Sequence, residues 1–504
     1  MRQDNFDIVI IGTGMGGLVC GDILSREGYR VCMLEKNKQI GGCLQTYVRD
    51  KIIFDSGVHY IGGLDKGQNL YQVFQYLGIM DKLKLKKMDT VFDKIIIGGD
   101  EKEYAYAQGY ENFINQLLVD FPDEEEALRL YCEQVKYVCS KFPLYNLRAG
   151  GSYSEKEEVL NIDTKGFIES ITSNKKLQAV LVGNNLLYAG QPGKTPFYVH
   201  AMILNSYIES SWKCINGGSQ IAKYMAKNIL DRGGMIQRNA TVKEIVVEDG
   251  KVSHIILKNG SKVFGTNFIS NIHPLKTLEM TKTNLIKTAF RNRVKSLENS
   301  ISVFSINVVF NKNSFRYCPA NYYYFDDGKE WTSADYTVSN WPLSYALFFS
   351  CNKGEQEYAE SMTILAYMRY DELKQWEETF NTIAEQDDRG ETYSDFKKDK
   401  AEILLNKVAE KFPDIRSHIK SYYTSTPLSY RDYIGNDEGS MYGIVKDCKD
   451  PHKTYIPSST KLPNLYFTGQ NLNLHGILGA TMSGLVTCID FIGNDTIIEK
   501  IKNA

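Results

Sequence analysis

Close to its start the chain sets Gly12, Gly14 and Gly17 at the spacing G-x-G-x-x-G inside the string GTGMGG, which also contains Gly16, and the next apolar run ends in a carboxylate, Glu35. Residues of these types at this spacing can hold a dinucleotide. One glycine turns the chain, one lets the backbone approach a pyrophosphate, and one lets a helix pack on a strand. A carboxylate placed like Glu35 accepts hydrogen bonds from the ribose hydroxyls of an adenosine. Toward the other end, Gly469 and Gln470 follow the apolar run LYFT, and a Gly- and Ala-rich stretch opens from Gly476 to Ala480. There a helix N-terminus, with unpaired N–H groups and a positive dipole end, suits the electron-rich edge of a ligand.

The elements that position these residues can be read around them. Phe6 to Ile11 is a short apolar, β-branched strand, and Leu18, Ile23 and Leu24 mark the buried face of a helix. YRVCMLE is a second strand ending at Glu35. Strand, tight turn, helix and strand in that order predict an α/β, Rossmann-like fold. The run TVKEIVVEDGKVSHIILKNGSKVFGTNFISNI alternates apolar and polar residues around Asp249-Gly250 and Asn259-Gly260, which predicts a small antiparallel sheet. ISVFSINVVF, NYYYF and ALFFS read as strands, and Glu372 to Phe412 as long charged helices. Leu177 to Ile208 carries a single formal charge, Lys194, and reads as a buried pair of helices. Its surface near Pro196, Phe197 and Tyr198 is a candidate tunnel mouth that rests on a membrane.

Composition removes other classes. With 504 residues, 43% of them hydrophobic and 24% charged, the chain can bury a large core. Lys and Arg total 59 against 61 Asp and Glu, so no basic balance recruits nucleic acid. Ten scattered Cys without a C-x-x-C pair indicate neither a zinc ribbon nor a disulfide framework, and no metal site is expected. The cysteine usage, the lack of a secretory pattern and the lack of a long apolar stretch predict a cytoplasmic protein, with peripheral contact on the inner membrane face as the furthest reach.

Directly after Glu35 comes KNKQIGGCLQT, which resembles the Glu-then-Gly-Gly extension of two-dinucleotide flavoproteins and adds Lys36, Gly41 and Gly42 to the residues expected at FAD. FDSGVHYIGG (54–63), TPLSYRDYIGNDEGSMYG (426–443) and NLYFTGQNLNLHGILGATMSG (464–484) resemble the family containing retinol saturase, carotenoid isomerase and bacterial phytoene desaturase. The HYIG and TGQ strings look closest to the retinol saturase branch. The resemblance implies FAD bound in extended form, Gly57 and the C-terminal motif meeting at the isoalloxazine, and backbone near Val242 at the adenine. It further implies an FAD domain assembled from 1–75, 206–275 and 456–504, with 76–205 and 276–455 forming an interleaved α+β substrate domain. Two departures stand out: Gly469 is followed by Gln470 where many relatives have Asp, and Cys43 stands where relatives often carry Arg.

The resemblance points to an FAD-dependent oxidoreductase that saturates or desaturates carbon–carbon double bonds of an apolar polyene or isoprenoid-like lipid. A reduced-flavin cis–trans isomerase, an amine-oxidase-like enzyme and a redox-idle flavin-binding partner are the alternatives. Hydride transfer to or from a carbon needs a matching proton donor or acceptor. The candidates are His59, Tyr60, Tyr442 and His475, with Tyr430 as a further hydroxyl. No second G-x-G-x-x-G follows a strand, so an external electron donor or acceptor is expected.

Overall fold

A computed structural model describes residues 5–98, 102–150, 154–351 and 357–504. Two seven-stranded sheets organise them. The first has the order Met235–Gln237, Val31–Leu34, Asn5–Ile11, Lys262–Ser270, Lys251–Leu257, Val242–Glu248. Its parallel part is apolar on both faces, with Ile8, Val9 and Ile10 fully buried, as expected of strands covered by helices on either side. The helices Met15–Arg26 and Gly476–Ile492 belong to this cover, and Leu18, Ile23 and Leu485 share its core.

The strand Lys262–Ser270 ties this sheet together. On one edge it runs parallel to Asn5–Ile11 over its whole length. On the other edge its first half pairs antiparallel with His254–Ile256, while Phe268–Ser270 pairs in parallel with Leu465–Phe467. The antiparallel run forms as its alternation suggests, and it is continuous with the parallel strands in one sheet. Period-2 patterning reports which faces are buried but not which neighbour a strand edge takes.

The second sheet has the order Ile419–Ser425, Ser302–Phe310, Ser361–Met368, Ser344–Ser350, Asn321–Phe325, Val91–Ile97, Tyr104–Ala107. All pairs are antiparallel except Asn321–Phe325 with Val91–Ile97, and Asn321 lies in register with Asp93. Alternate side chains of Ser302–Phe310 point to opposite faces. Phe304, Ile306 and Val308 pack with Leu404, Leu405 and Val408 of the helix Gly390–Lys411, whereas Val303 joins Tyr323, Phe348 and Leu365 on the other face. That other face becomes a wall of the site.

Two readings of the sequence need correction. Between Glu372 and Phe412 only Gly390–Lys411 is an α-helix; Tyr370–Trp376 is a 3-10 turn and the residues between are irregular. In that interval Asp387, Thr382 and Asp388 accept hydrogen bonds from the backbone N–H of Phe380, Ala384 and Gly390, and such local bonds compete with the helical ladder. Of the three residues singled out for a membrane-facing mouth, Pro196 and Phe197 are buried, Phe197 packing on Phe167, and only Tyr198 is partly exposed. Helices do form over Lys175–Leu181 and Phe197–Glu209. Among the described residues no helix is long and apolar enough to cross a membrane, and no group of three or more His, Cys, Asp or Glu is arranged to hold a metal.

Candidate active site

The carboxyl ends of the parallel strands open into a long cleft with a cavity volume of about 340 Å³. Gly12, Gly14, Gly16, Glu35, Lys36, Gly41 and Gly42 line it from the N-terminal part, Gly57 and Val242 from the middle, and Gly469, Gln470, Gly476 and Ala480 from the C-terminal part. Gly17 does not line it. A β-carbon there would stand 2.5 Å from the Gly12 carbonyl oxygen, so its bare backbone serves the packing of helix on strand.

The cleft fits a dinucleotide on its own geometry. The helix Met15–Arg26 starts at Gly14 without a side-chain cap, and Gly476–Ile492 starts at His475, again without one. Both helix starts therefore present open N–H groups to the cleft. Glu35 is buried; its Oε2 accepts the Thr13 N–H at 3.2 Å and the Thr13 hydroxyl, and its Oε1 accepts the Asn37 N–H at 2.8 Å. The carboxylate thereby fixes the glycine loop and the strand end while still facing the cleft. Lys36 donates to the Asp432 carbonyl at 2.8 Å and Asn37 to the Tyr433 carbonyl at 2.9 Å. Those bonds draw the 426–443 motif over the cleft, where Tyr433, Ile434, Gly435 and Asn436 form one rim. Cys43 lines the same cleft as a thiol, its pKa pushed up to about 11 by burial, so thiolate chemistry is not favoured there.

Some cleft residues escaped the sequence reading. Asn271 fills the hollow that the glycines leave: β-carbons built on Gly14 and Gly16 would approach its side-chain amide to 2.8 and 2.9 Å. His273 and Lys276 also line the cleft, and Lys276 pairs with Asp437 at 2.8 Å. The only sequence signal for them was their place just after a strand end, the topological position at which such sheets bind ligands.

A second cavity, about 130 Å³, lies beside the first. Gly57, Val58, Gly476 and Ile477 line both, so the two spaces meet at these residues. Its walls are apolar, including Leu70, Leu187, Ile203, Val303, Phe348 and Leu365. His59, Tyr60, Tyr442 and His475 all line it, together with Tyr323 and Tyr207. Tyr430 lines neither cavity.

The polar groups differ in what they can do. His59 stacks on Phe348 with centroids 4.3 Å apart, and burial, aided by the Lys213 charge, holds its pKa down to about 4. His475 donates from Nε2 to the Leu187 carbonyl at 2.9 Å and packs on Tyr442, its pKa also held down to about 4, chiefly by burial. Both imidazoles are neutral near pH 7, able to accept a proton but not to supply one as imidazolium. The Tyr442 hydroxyl donates to the Leu186 carbonyl at 2.7 Å and so fastens the 185–187 turn. Tyr60 is tied instead to Asp93 and Tyr323.

A third, apolar cavity of about 130 Å³ shares Leu474 and Leu478 with the second, while Met202 and Ile203 of one helix face the third and the second respectively. Tyr198 and the partly exposed Tyr455 also line it.

The fold and the cleft define a Rossmann-type, dinucleotide-binding oxidoreductase architecture with an apolar chamber against the cofactor site. The family model for NAD(P)-binding Rossmann-like domains matches residues 10–77. A solved oxidoreductase from Methanosarcina mazei superposes with a TM-score of 0.64 at 14% identity, covering 95% of this chain and 99% of that one. Along nearly its whole length the chain is similar in sequence to all-trans-retinol 13,14-reductases and prolycopene isomerases. It is 25% identical to the human all-trans-retinol 13,14-reductase, over 99% of this chain and 87% of that protein. It is also 25% identical to the chloroplastic prolycopene isomerase of Daucus carota, over 99% of this chain and 82% of that protein.

Proposed function

We propose that the protein is an FAD-dependent oxidoreductase that saturates or desaturates a carbon–carbon double bond of an apolar polyene or isoprenoid-like lipid. The observation that carries this reading is the meeting of the apolar chamber with the dinucleotide cleft at Gly57, Val58, Gly476 and Ile477. Glu35, the open helix start at Gly14 to Gly16 and the rim at 433–436 would hold the dinucleotide, with Val242 at its adenine end. Bound there, FAD supplies hydride chemistry at its ring. The chain's own part is to orient a polyene in a dry chamber and to move one proton.

The names of these relatives support the substrate class, since one is an all-trans-retinol 13,14-reductase and another a prolycopene isomerase. The third cavity, behind Leu474 and Leu478, serves as the entry for a greasy chain, and peripheral contact with a membrane on that side belongs to the same proposal, as does an external electron partner. Protein loaded with FAD, reduced anaerobically with dithionite and mixed with all-trans-retinol, tests the reading. Flavin reoxidation with a product two hydrogens heavier supports saturation. A product of unchanged mass with altered geometry selects the isomerase reading. If neither retinol nor a panel of carotenes changes with reduced or with oxidised flavin while flavin stays bound, the proposal fails.

A further inference from the structure

The second cavity has one ionisable chain behind it that the apolar walls do not explain. Asp93 is wholly buried on the strand Val91–Ile97, as are Asn321 and Tyr323 on the neighbouring strand. The register of these strands sets Asn321 beside Asp93, and its Nδ2 donates to Asp93 Oδ1 at 2.9 Å. Asp93 Oδ2 faces the Tyr60 hydroxyl at 2.9 Å, and that hydroxyl lies 2.7 Å from the hydroxyl of Tyr323. Both tyrosines line the chamber.

We propose that Asp93, Tyr60 and Tyr323 form a proton relay, with Asp93 as the proton store and the tyrosine hydroxyls as the catalytic acid or base at the reacting carbon. This rests on the double-bond chemistry proposed above. A carboxyl group sealed from water persists at a cost unless it is neutral or paired. Burial pushes Asp93 up to about 7, against the bonds from Asn321 and Tyr60 and the Lys213 charge, which lower it. Because Asn321 donates to Oδ1, the proton of the acid form sits on Oδ2, the atom that meets Tyr60. The acid form then donates to Tyr60, Tyr60 to Tyr323, and the last hydroxyl hydrogen is free to point into the chamber. With Asp93 ionised the chain of donors reverses and ends at the carboxylate.

Asp93 takes its hydrogen bonds from Asn321 and Tyr60, and the other groups facing it are held elsewhere. Lys213, on the strand Ser211–Cys214, donates to the Phe349 carbonyl at 3.0 Å. Tyr207 stacks on the Tyr60 ring at 4.2 Å, and Tyr106 is engaged with the Val180 carbonyl. In saturation the carbon–carbon π bond opens, one carbon gains a hydride with its two electrons from reduced flavin, and the other carbon gains a proton from a tyrosine hydroxyl. The tyrosine oxygen takes the Asp93 proton, and after product leaves, water admitted to the chamber returns one to Asp93 through Tyr323 and Tyr60. Desaturation runs the same transfers backward, with oxidised flavin taking the hydride.

The experiment uses FAD-loaded enzyme with all-trans-retinol as the probe, comparing wild type, Asp93→Asn, Asp93→Glu and the double variant Tyr60→Phe with Tyr323→Phe. Wild-type kcat for saturation should fall as pH rises through about 7, as an acid is lost. Asp93→Asn and the double phenylalanine variant should each lose about 10²–10⁴-fold in kcat with KM little changed, and Asp93→Asn should lose that pH limb. Asp93→Glu should restore part of the rate and the limb. A wild-type-minus-Asp93→Asn infrared difference spectrum should show a protonated carboxyl band that disappears through the same pH range and shifts when Tyr60 becomes Phe. Wild-type rate and pH profile in flavin-loaded Asp93→Asn would overturn the relay alone. If Asp93→Asn does not fold, full rate in the phenylalanine pair, or no such band in wild type, overturns it equally. A wild-type enzyme inert toward retinol and carotenes would overturn the function above and the relay with it.

Discussion

A β-carbon placed on Gly16 would stand 2.8 Å from both the backbone nitrogen and the α-carbon of Gly469. Two glycines from opposite ends of the chain thus touch backbone to backbone, and this contact joins the phosphate loop to the C-terminal motif. Gly16→Val should force the two apart. The expected result is a purified protein with little bound flavin and a stability loss of about 1–3 kcal/mol or more, read from visible absorbance and urea unfolding. Normal flavin content in the variant would show that the contact does not shape the cofactor site.

Asp432 should behave as a keystone of the cleft rim. It is wholly buried and accepts from Arg389, from Arg431 Nε at 2.8 Å and from the Asn381 N–H at 2.9 Å. Asp432→Asn leaves two guanidinium groups without their counter-charge. A loss of about 3–5 kcal/mol in urea unfolding is expected. Because the neighbouring carbonyls of 432 and 433 hold Lys36 and Asn37, flavin should also dissociate faster.

Ala346 offers a way to separate chamber from cleft. It is buried on the sheet wall and lines the apolar cavity without lining the cofactor cleft. Ala346→Leu should fill part of the apolar chamber while costing about 1–3 kcal/mol from overpacking. Flavin content should stay at wild-type level as kcat/KM for retinol falls. A fall in flavin content instead would mean that the two spaces are not independent.

The buried Asp93 carboxyl also has a consequence for stability. In the unfolded chain it ionises near 3.8, and in the folded protein near 7. Between those values the folded state holds the extra proton, so this contribution is full below pH about 4, declines as pH rises and is gone above about 7. Asp93→Asn should remove that slope. Urea unfolding at pH 5 and pH 8 should show wild type losing on the order of 2 kcal/mol more than the variant over that interval. Equal losses in both proteins would place the Asp93 pKa near its ordinary value.

Much of the cleft was legible because it is built from local signals. Glycine spacing, a strand end and an acid at the next strand end are short-range patterns; they led to Gly12, Gly14 and Glu35, which line the cleft, and to Gly17, which instead packs helix on strand. The resemblance added the C-terminal half. What stayed hidden was set by register across distant strands. Asp93 lies in VFDKIII, where it and Lys94 read as a charged pair interrupting an apolar run, and nothing in that run states that Asn321 will lie opposite Asp93. The irregular segment before the helix Gly390–Lys411 was misread for the opposite reason. Its charges match a helix surface, and the side-chain-to-backbone bonds that undo the helix are invisible to charge patterning.

The strand Lys262–Ser270 has a bearing on how the chain acquires this fold. Phe268–Ser270 finds one of its two partners early, in Asn5–Ile11, and the other only in Leu465–Phe467. During synthesis the nascent sheet therefore carries an unsatisfied, apolar edge until Leu465–Phe467 has emerged. Pairings of such long sequence separation form slowly, and exposed edges invite association between chains. Chains cut short before the last strand should accumulate as aggregates, and a chaperone that shields Phe268 to Ser270 until Phe467 arrives would raise the yield of native protein.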